Sequence, residues 1–309
     1  MKKLILEQIP SLLRLHIVIV ALLAQVVFAW LFTGHYSLVL VPFVAIDWFV
    51  INLVNRVTDL AEDVANNVPG ADIAAARKRA LEITCVVLFG SSLVVSHVWV
   101  SPNLTPIRLV VEVIGLFYNF RLLPSLGVLP TAAQAASSAR TRFKEMYFFK
   151  NTMSALLFVL TCVGYPLALF RYAPVTGWGP VLVVVGFFVL FELSYEVLYD
   201  LRDLEGDRRE GVPTYPVIHG ERTSRRILDG LVGGAALALL AGFGLRVIGA
   251  RELLMIGAPI AQRLFYGRRP TLTHRDCIVV THMGSALLAF YLVGTALWAR
   301  AGLPNNVYW

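Results

Sequence analysis

The sequence has few charged residues and few cysteines. Only 15% of its 309 residues are Asp, Glu, Lys or Arg, whereas 57% are hydrophobic. This balance excludes an ordinary soluble globular domain. The sequence has three cysteines, Cys85, Cys162 and Cys277, which lie within apolar stretches and lack the spacing of metal ligands. We therefore expect all three to be chemically inert and to pack as small hydrophobic side chains. Repeats with a period of about 20–50 residues are also lacking, and no segment reads as a separate soluble domain.

The apolar residues gather into runs long enough to cross a bilayer, which takes about 20 helical residues. These runs occupy residues 14–33, 36–56, 79–100, 105–122, 147–170, 180–200, 227–249, 250–266 and 276–299. We therefore predict one all-α domain over residues 1–309, a polytopic bundle of about nine transmembrane helices around a central cavity. Pro259 interrupts the eighth run, so eight spans with a re-entrant helix are the alternative. The first run is too long for a signal peptide and is expected to be retained.

The basic residues predict the orientation of the bundle. If the N-terminus lies on the cytoplasmic side, only five of the 27 lysines and arginines lie on the opposite side of the membrane. These five are Arg108, Arg171, Arg246, Arg251 and Arg300. Basic residues collect on the cytoplasmic side when loops are short. We therefore expect an inner or cytoplasmic membrane protein with a cytoplasmic N-terminus. The net charge of +7 is interpreted as this topology signal and as attraction to anionic lipid, not as nucleic-acid binding.

Two predicted spans end in acidic stripes on the cytoplasmic side. The second span runs into NRVTDLAED and the sixth into YDLRDLEGDRREG. The polar residues at helical spacing in these stripes are Asn55, Asp59, Asp63, Asp200, Asp203 and Asp207. Acids at a helix C-terminus oppose the helix dipole, and clustered carboxylates repel one another. Something must offset that cost, so a bound cation is expected.

Magnesium is the cation that fits these stripes best. Mg²⁺ prefers oxygen ligands and is commonly held by one or two carboxylates together with the phosphates of a substrate. We therefore predict that two Mg²⁺ ions bridge a diphosphate between the second and sixth spans. The predicted catalytic residues are Asp59, Asp63, Asp203 and Asp207, and Asp200 is a predicted diphosphate contact. Arg142, Lys144 and Lys150 can share the neutralisation of the leaving group, although positive-inside topology explains basic residues there as well.

The motifs resemble those of the UbiA superfamily of intramembrane prenyltransferases. NRVTDLAED is similar to its NDxxDxxxD element and YDLRDLEGDRREG to its DxxxD element, and TRFKEMYFFKN precedes the fifth span as in that family. The resemblance implies Mg²⁺ and diphosphate ligands at Asn55, Asp59, Asp63, Asp203 and Asp207. It further implies substrate contacts at Lys144, Lys150, Asn151 and Tyr118.

Two features depart from the family pattern. Arg56 stands where many members have Asp, and NNVPGADI replaces the usual tail after the first motif. Three of the four metal positions of the first motif remain, so metal binding is still expected. The departures leave the quinone or chlorophyll subfamily unassigned.

The predicted chemistry is ionisation of an isoprenyl diphosphate, followed by transfer of the prenyl group to a lipophilic acceptor such as an aromatic ring. Metal ions stabilise the charge that develops on the leaving group, and aromatic faces stabilise a carbocation. A first alternative is a terpene cyclase on the same scaffold. A second is a secondary transporter, but transporters place their carboxylates near the midplane, not at one face.

Other candidates lie inside the spans and in the loops. Asp47 and Glu192 are ionisable residues within apolar runs, and we consider both as acceptor-side or proton-accepting groups. His16 lies near an interface and carries less weight. Loops 64–78 and 121–143 stand beside the acidic stripes and could close over the diphosphate, although a plain connection explains 121–143 equally well.

Overall fold

The computed structural model is a bundle of helices. It describes residues 13–58, 60, 70–120, 123–124, 140–141, 147, 149–210 and 212–303. In chain order the helices are α1 (Leu15–Thr33), α2 (Val41–Thr58), α3 (Ala71–Ala76), α4 (Lys78–Val95), α5 (Leu104–Asn119), α6 (Phe149–Val159), α7 (Tyr165–Leu169), α8 (Trp178–Glu210), α9 (Tyr215–His219), α10 (Glu221–Gly244), α11 (Ala250–Leu253), α12 (Gly257–Tyr266) and α13 (His274–Arg300).

Short irregular segments join some of these helices. The 3₁₀ turns Leu38–Leu40 and Leu254–Ile256 precede α2 and α12. A π-helical segment, Ser96–Val100, extends α4, and a second, Leu160–Gly164, connects α6 to α7. Two-residue strands, β1 (Leu123–Pro124) and β2 (Arg140–Thr141), pair antiparallel.

The predicted all-α membrane fold is confirmed, but the count of nine spans is not. Among the described residues, seven helices are long and apolar enough to cross a membrane. They cover Leu15–Thr33, Leu38–Thr58, Lys78–Val100, Lys150–Leu169, Trp178–Arg209, Glu221–Gly244 and His274–Arg300. The fourth predicted position holds α5 with only 16 residues, and the eighth is divided between α11, a 3₁₀ turn and α12. Full crossing at these two positions stays a prediction.

Helix α8 has the most central position in the bundle. It packs along α10 and α6, and α13 packs along α1 on another side of the core. Large apolar side chains such as Val86, Trp99 and Phe290 point outward, as expected for a surface that faces lipid. Gly164 lets α5 approach closely, because a Cβ at this position would lie 2.5 Å from Ile107 Cδ1. Small residues commonly allow such approaches between membrane helices.

A buried ion pair joins α2 to α5. Asp47 accepts hydrogen bonds from Arg108 Nε at 2.9 Å, from Arg108 Nη2 at 2.5 Å and from the Tyr165 hydroxyl at 2.7 Å. Ser92 and Ser96 on the α4 side accept further hydrogen bonds from the same guanidinium. Both charged side chains are fully buried. The expectation of an acceptor-side role for Asp47 is therefore wrong, because structural partners occupy its carboxylate.

Arg108 was counted on the outer side of the membrane, and that side stays a prediction. Its guanidinium is buried among helices, and Arg251 is buried in the same way. Arg251 pairs with Glu252 at 2.5 Å and lies over the Trp30 ring, 4.7 Å from its centroid. Buried charges of this kind are paired because an isolated charge in an apolar interior is very costly. Neither arginine therefore reports on orientation.

Candidate functional site

A cavity of about 250 Å³ lies between α2 and α8. Side chains from α1, α5, α6, α13 and the Leu254–Ala258 turn complete its wall. The second and sixth predicted spans thus line one common space. The polar or charged residues that line it are Arg14, Asn52, Asn55, Tyr118, Ser154, Glu192, Tyr195, Glu196, Tyr199, Thr281 and Tyr291.

Polar side chains gather where α2 and α5 end and α6 begins. Asn55 and Tyr118, both predicted substrate contacts, line the cavity there. Asn52 lines it one helical turn before Asn55, and its Nδ2 atom is buried without a hydrogen-bond partner in the described part of the chain. We name this end, defined by Asn52, Asn55, Tyr118 and Ser154, the polar mouth. The sequence interpretation missed Asn52, although an amide three residues before Asn55 in an apolar run is a readable signal.

An aromatic wall covers the rest of the cavity. It consists of Phe28, Trp48, Phe158, Phe187, Phe188, Phe191 and Tyr195. Trp48 and Phe158 have ring centroids 4.2 Å apart, and Phe28 meets Phe188 edge to face at 4.9 Å. Such mutual packing holds the ring faces in fixed orientations. The sequence offered too many aromatic residues to choose among, and only the fold selects these seven.

Helix α13 closes the cavity where its Gly284 packs against Tyr195 of α8. A Cβ on Gly284 would lie 2.8 Å from the Tyr195 hydroxyl, so only glycine leaves that hydroxyl its present position. The Tyr195 hydroxyl donates to the carbonyl of Val280 at 3.3 Å, and Tyr199 is hydrogen-bonded to Thr281 at 2.5 Å. These contacts fix the α8 side of the cavity to α13.

An ion-pair network lies one turn beyond the polar mouth. Lys150 Nζ donates to Asp200 Oδ1 at 2.8 Å, and Asn151 Nδ2 donates to Asp200 Oδ2 at 2.9 Å. Asp200 is only 2% exposed. Lys150 precedes Ser154 by one turn of α6, and Asp200 follows Glu196 by one turn of α8, so both helices lead from the cavity to the network.

The other two predicted aspartates of α8 differ in their surroundings. Asp207 Oδ2 lies 4.0 Å from Lys150 Nζ, and it is buried without a hydrogen-bond partner in the described residues. Asp203 is 48% exposed and pairs with the guanidinium of Arg202, its neighbour in sequence. The structure therefore brings Asp200 and Asp207 to one lysine, whereas Asp203 lies at the surface with an arginine that a ligand could replace.

Several predicted residues lie outside the described part of the chain, namely Asp59, Asp63, Arg142 and Lys144. Residues 64–69 and most of 121–143 lie outside it as well, so loop closure stays a prediction. Residues 71–76, expected within a loop, form α3. Arg56, the departure from the family pattern, is buried at the end of α2. Within the described residues, no group of three or more His, Cys, Asp or Glu side chains is placed to hold a metal.

Two tyrosines flank the network outside the membrane-spanning helices. The Tyr147 hydroxyl is hydrogen-bonded to His219 Nε2 at 2.5 Å, and the Tyr147 ring meets Tyr215 edge to face at 5.2 Å. Partial burial raises the pKa of both phenols above the ordinary value. They are therefore neutral hydrogen-bonding groups near pH 7 and add no charge to the site.

Comparisons with known proteins find one matching protein family and several solved structures with a similar fold. A model described as the UbiA prenyltransferase family matches residues 52–276. No curated protein sequence matches the chain. A UbiA homologue from Archaeoglobus fulgidus bound to DMAPP and Mg²⁺ is 15% identical, with a TM-score of 0.66 over 92% of this chain and 97% of that chain.

Two further solved structures share the fold. The A. fulgidus homologue bound to GPP and Mg²⁺ is 15% identical, with a TM-score of 0.65 over 91% of this chain and 96% of that chain. A digeranylgeranylglyceryl phosphate synthase is 18% identical, with a TM-score of 0.54 over 95% of this chain and 99% of that chain. At these identities the likeness is one of fold.

Proposed function

The chain belongs to the UbiA prenyltransferase family, and from that premise we propose Mg²⁺-dependent transfer of a prenyl group from an isoprenyl diphosphate to a lipophilic acceptor. The observation that carries the proposal is the shape of the cavity between α2 and α8. It joins a polar mouth, next to a lysine and several aspartates, to a wall of aromatic rings. A diphosphate fits the first environment and an isoprenyl chain the second.

The proposed reaction is a substitution at the allylic carbon. The bond between that carbon and the diphosphate oxygen breaks, and its electron pair leaves with pyrophosphate. A bond forms between the same carbon and the acceptor, whose displaced proton passes to the departing pyrophosphate. The aromatic wall excludes water from the carbocation, and its ring faces stabilise the positive charge by cation–π attraction.

Magnesium is the proposed metal, consistent with the Mg²⁺ in the A. fulgidus homologue structures. When bound, it would neutralise charge on the leaving group and so favour ionisation. The described residues fit such an ion, because Asp207 has a buried carboxylate oxygen that accepts no hydrogen bond from any of them and Asp203 is half exposed. We propose that Asn55, Asp59, Asp63, Asp203 and Asp207 hold two ions.

Lys150 is the proposed cationic contact of the diphosphate. Asp200 and Asn151 surround it on the α8 side, and both Asp200 oxygens accept hydrogen bonds from them. Asp200 was predicted as a diphosphate-binding residue; we now propose that it acts indirectly, by positioning Lys150 and Asn151. Tyr118 would donate from the polar mouth, and Arg142 and Lys144 remain proposed diphosphate contacts on sequence grounds alone.

The protein is an integral membrane protein by its seven apolar helices and its family. We propose that it lies in the cytoplasmic membrane with the polar mouth towards the cytoplasm. The diphosphate is water-soluble and would enter there, whereas the acceptor would enter from lipid.

The test is incubation of the purified protein with isoprenyl diphosphates of several lengths and a membrane lipid extract, read by mass spectrometry. We expect prenylated lipid and stoichiometric pyrophosphate. Pyrophosphate without added acceptor, together with a terpene hydrocarbon or alcohol, would instead identify a cyclase. Movement of a solute across vesicles without any covalent change would identify a transporter.

A further inference from the structure

One carboxyl group in the cavity takes no part in the proposed diphosphate chemistry. Glu192 lines the cavity from α8 and is 8% exposed. It precedes Asp200 by eight residues, which corresponds to about 12 Å along the helix axis. A group this far from the Lys150 network is remote from the leaving pyrophosphate. It belongs to the region that the prenyl chain and the acceptor would occupy.

Glu192 lacks a partner within the described part of the chain, where neither a hydrogen bond nor an ion pair reaches its carboxyl group. Its neighbours on the cavity-facing side of α8 are the rings of Phe188, Phe191 and Tyr195 and, one turn closer to Asp200, the carboxyl group of Glu196. The Tyr195 hydroxyl is directed to the carbonyl of Val280 instead. Buried polar groups are almost always hydrogen-bonded, because an unsatisfied one costs the desolvation of that group. The Glu192 carboxyl group lines the cavity, so a molecule that enters the cavity with a hydrogen-bond donor can reach it.

The chemistry of that donor follows from its surroundings. The isoprenyl chain consists of hydrocarbon and offers no donor, whereas an acceptor with a hydroxyl group offers one. We propose that Glu192 determines acceptor specificity by accepting a hydrogen bond from a hydroxyl group of the acceptor. This inference rests on the proposed function. The acceptor is accordingly a lipophilic phenol or alcohol that reaches Glu192 while its nucleophilic atom meets the allylic carbon.

A matched control is available in the same bundle. Glu112 on α5 is also buried, and its Oε1 atom lacks a hydrogen-bond partner in the described residues. Glu112 does not line the cavity. Glu112→Gln therefore removes a buried intramembrane carboxyl group without touching the proposed acceptor site.

The experiment measures binding without turnover. Dissociation constants of 4-heptylphenol and its methyl ether, 4-heptylanisole, are measured by calorimetry on detergent-purified protein without diphosphate. We expect the wild type to bind the phenol roughly tenfold more tightly, as one hydrogen bond to a carboxyl group would provide. Glu192→Leu should reduce this preference to less than about twofold, whereas Glu112→Gln should retain it. A wild type without the preference, or a Glu192→Leu variant that keeps it, would overturn the proposal.

The isosteric variant covers the case in which Glu192→Leu fails to fold. Glu192→Gln keeps the shape but replaces one acceptor oxygen by a donor, so the preference should fall at least about threefold. An unchanged preference in a folded Glu192→Gln protein also contradicts the proposal. Because no turnover is involved, the result is separable from the proposed function. A phenol preference without any pyrophosphate release in the transfer assay would refute prenyl transfer but not the hydroxyl site.

Discussion

Lys150 and Asp200 form a 2.8 Å ion pair that connects α6 to α8 just beyond the polar mouth. Asn151 occupies the second oxygen of the same carboxylate, so Asp200 holds two neighbouring side chains of α6 at once. A carboxylate beside a diphosphate site would repel the substrate if it stood alone. Its value here is to orient a cation and an amide towards the place where the diphosphate is proposed to bind.

Asp200→Asn tests this positioning role. An amide can accept from Lys150 or Asn151, but it cannot neutralise the lysine, so the ammonium group loses its fixed orientation. We expect kcat/KM for the isoprenyl diphosphate to fall about tenfold, or about 1.4 kcal/mol. Glu205→Gln is the control, because Glu205 is 72% exposed on the same helix and forms an ion pair with Arg208, away from Lys150. Equal or better turnover by Asp200→Asn would show that Asp200 does not position Lys150.

Asp59→Asn and Asp203→Asn test whether the two acidic stripes form one site. Each substitution keeps the side-chain shape and removes a charge proposed to hold metal. Each alone should reduce pyrophosphate release severely, by about a hundredfold or more, and the double variant should lose little beyond that, because groups that act as a unit are non-additive. Release is measured at saturating Mg²⁺ alongside thermal stability. Two losses that multiply, or normal turnover by either single variant, would mean that the stripes act separately.

Metal removal tests the cofactor. Activity should disappear in EDTA and return with Mg²⁺ or Mn²⁺, because these ions share a preference for oxygen ligands. Circular dichroism before and after chelation controls for unfolding. Full turnover in EDTA would contradict metal assistance.

The Asp47–Arg108 pair gives a stability prediction. Asp47→Asn should destabilise the protein by about 3–5 kcal/mol, because it leaves a buried guanidinium without its counter-charge. Asp47→Leu combined with Arg108→Met should cost less than the sum of the two single changes, since the double variant leaves neither charge behind. Thermal unfolding in detergent measures both effects. Strict additivity would show that the two residues are not coupled.

Orientation is tested by cysteine labelling. Asn67→Cys and Gly206→Cys should both react with a membrane-impermeant maleimide from the cytoplasmic side, as the distribution of basic residues requires. The wild type is a suitable background, because Cys85, Cys162 and Cys277 are all buried. Labelling of the two positions from opposite faces would exclude a shared site.

The sequence predicted the helices well because their signal is local. Each apolar run is read from consecutive residues, and a helix occupies each of the nine predicted positions in the described structure. The contacts between runs were not predictable in the same way. Arg108 was interpreted only as a topology signal, because a count of charges cannot reveal a partner 61 residues earlier in the chain.

The site was predicted in part for the same reason. Helical spacing was enough to suggest that the second and sixth spans share a site, and residues of both spans line one cavity. Spacing within one helix could not show that Lys150 and Asp200, 50 residues apart, bind each other. It also could not select the aromatic wall from many similar residues, since that selection depends on how the helices rotate about their axes.

The Asp47–Arg108 pair also has a consequence for how the chain is made. Arg108 follows Asp47 by 61 residues, so at a synthesis rate of about 5–20 residues per second it emerges from the ribosome roughly 3–12 s later. Until then α2 carries an intramembrane acid whose insertion alone costs about 3 kcal/mol. Asp47 therefore gains its counter-charge only after α5 has been synthesised, and a nascent chain halted between α2 and α5 lacks that partner.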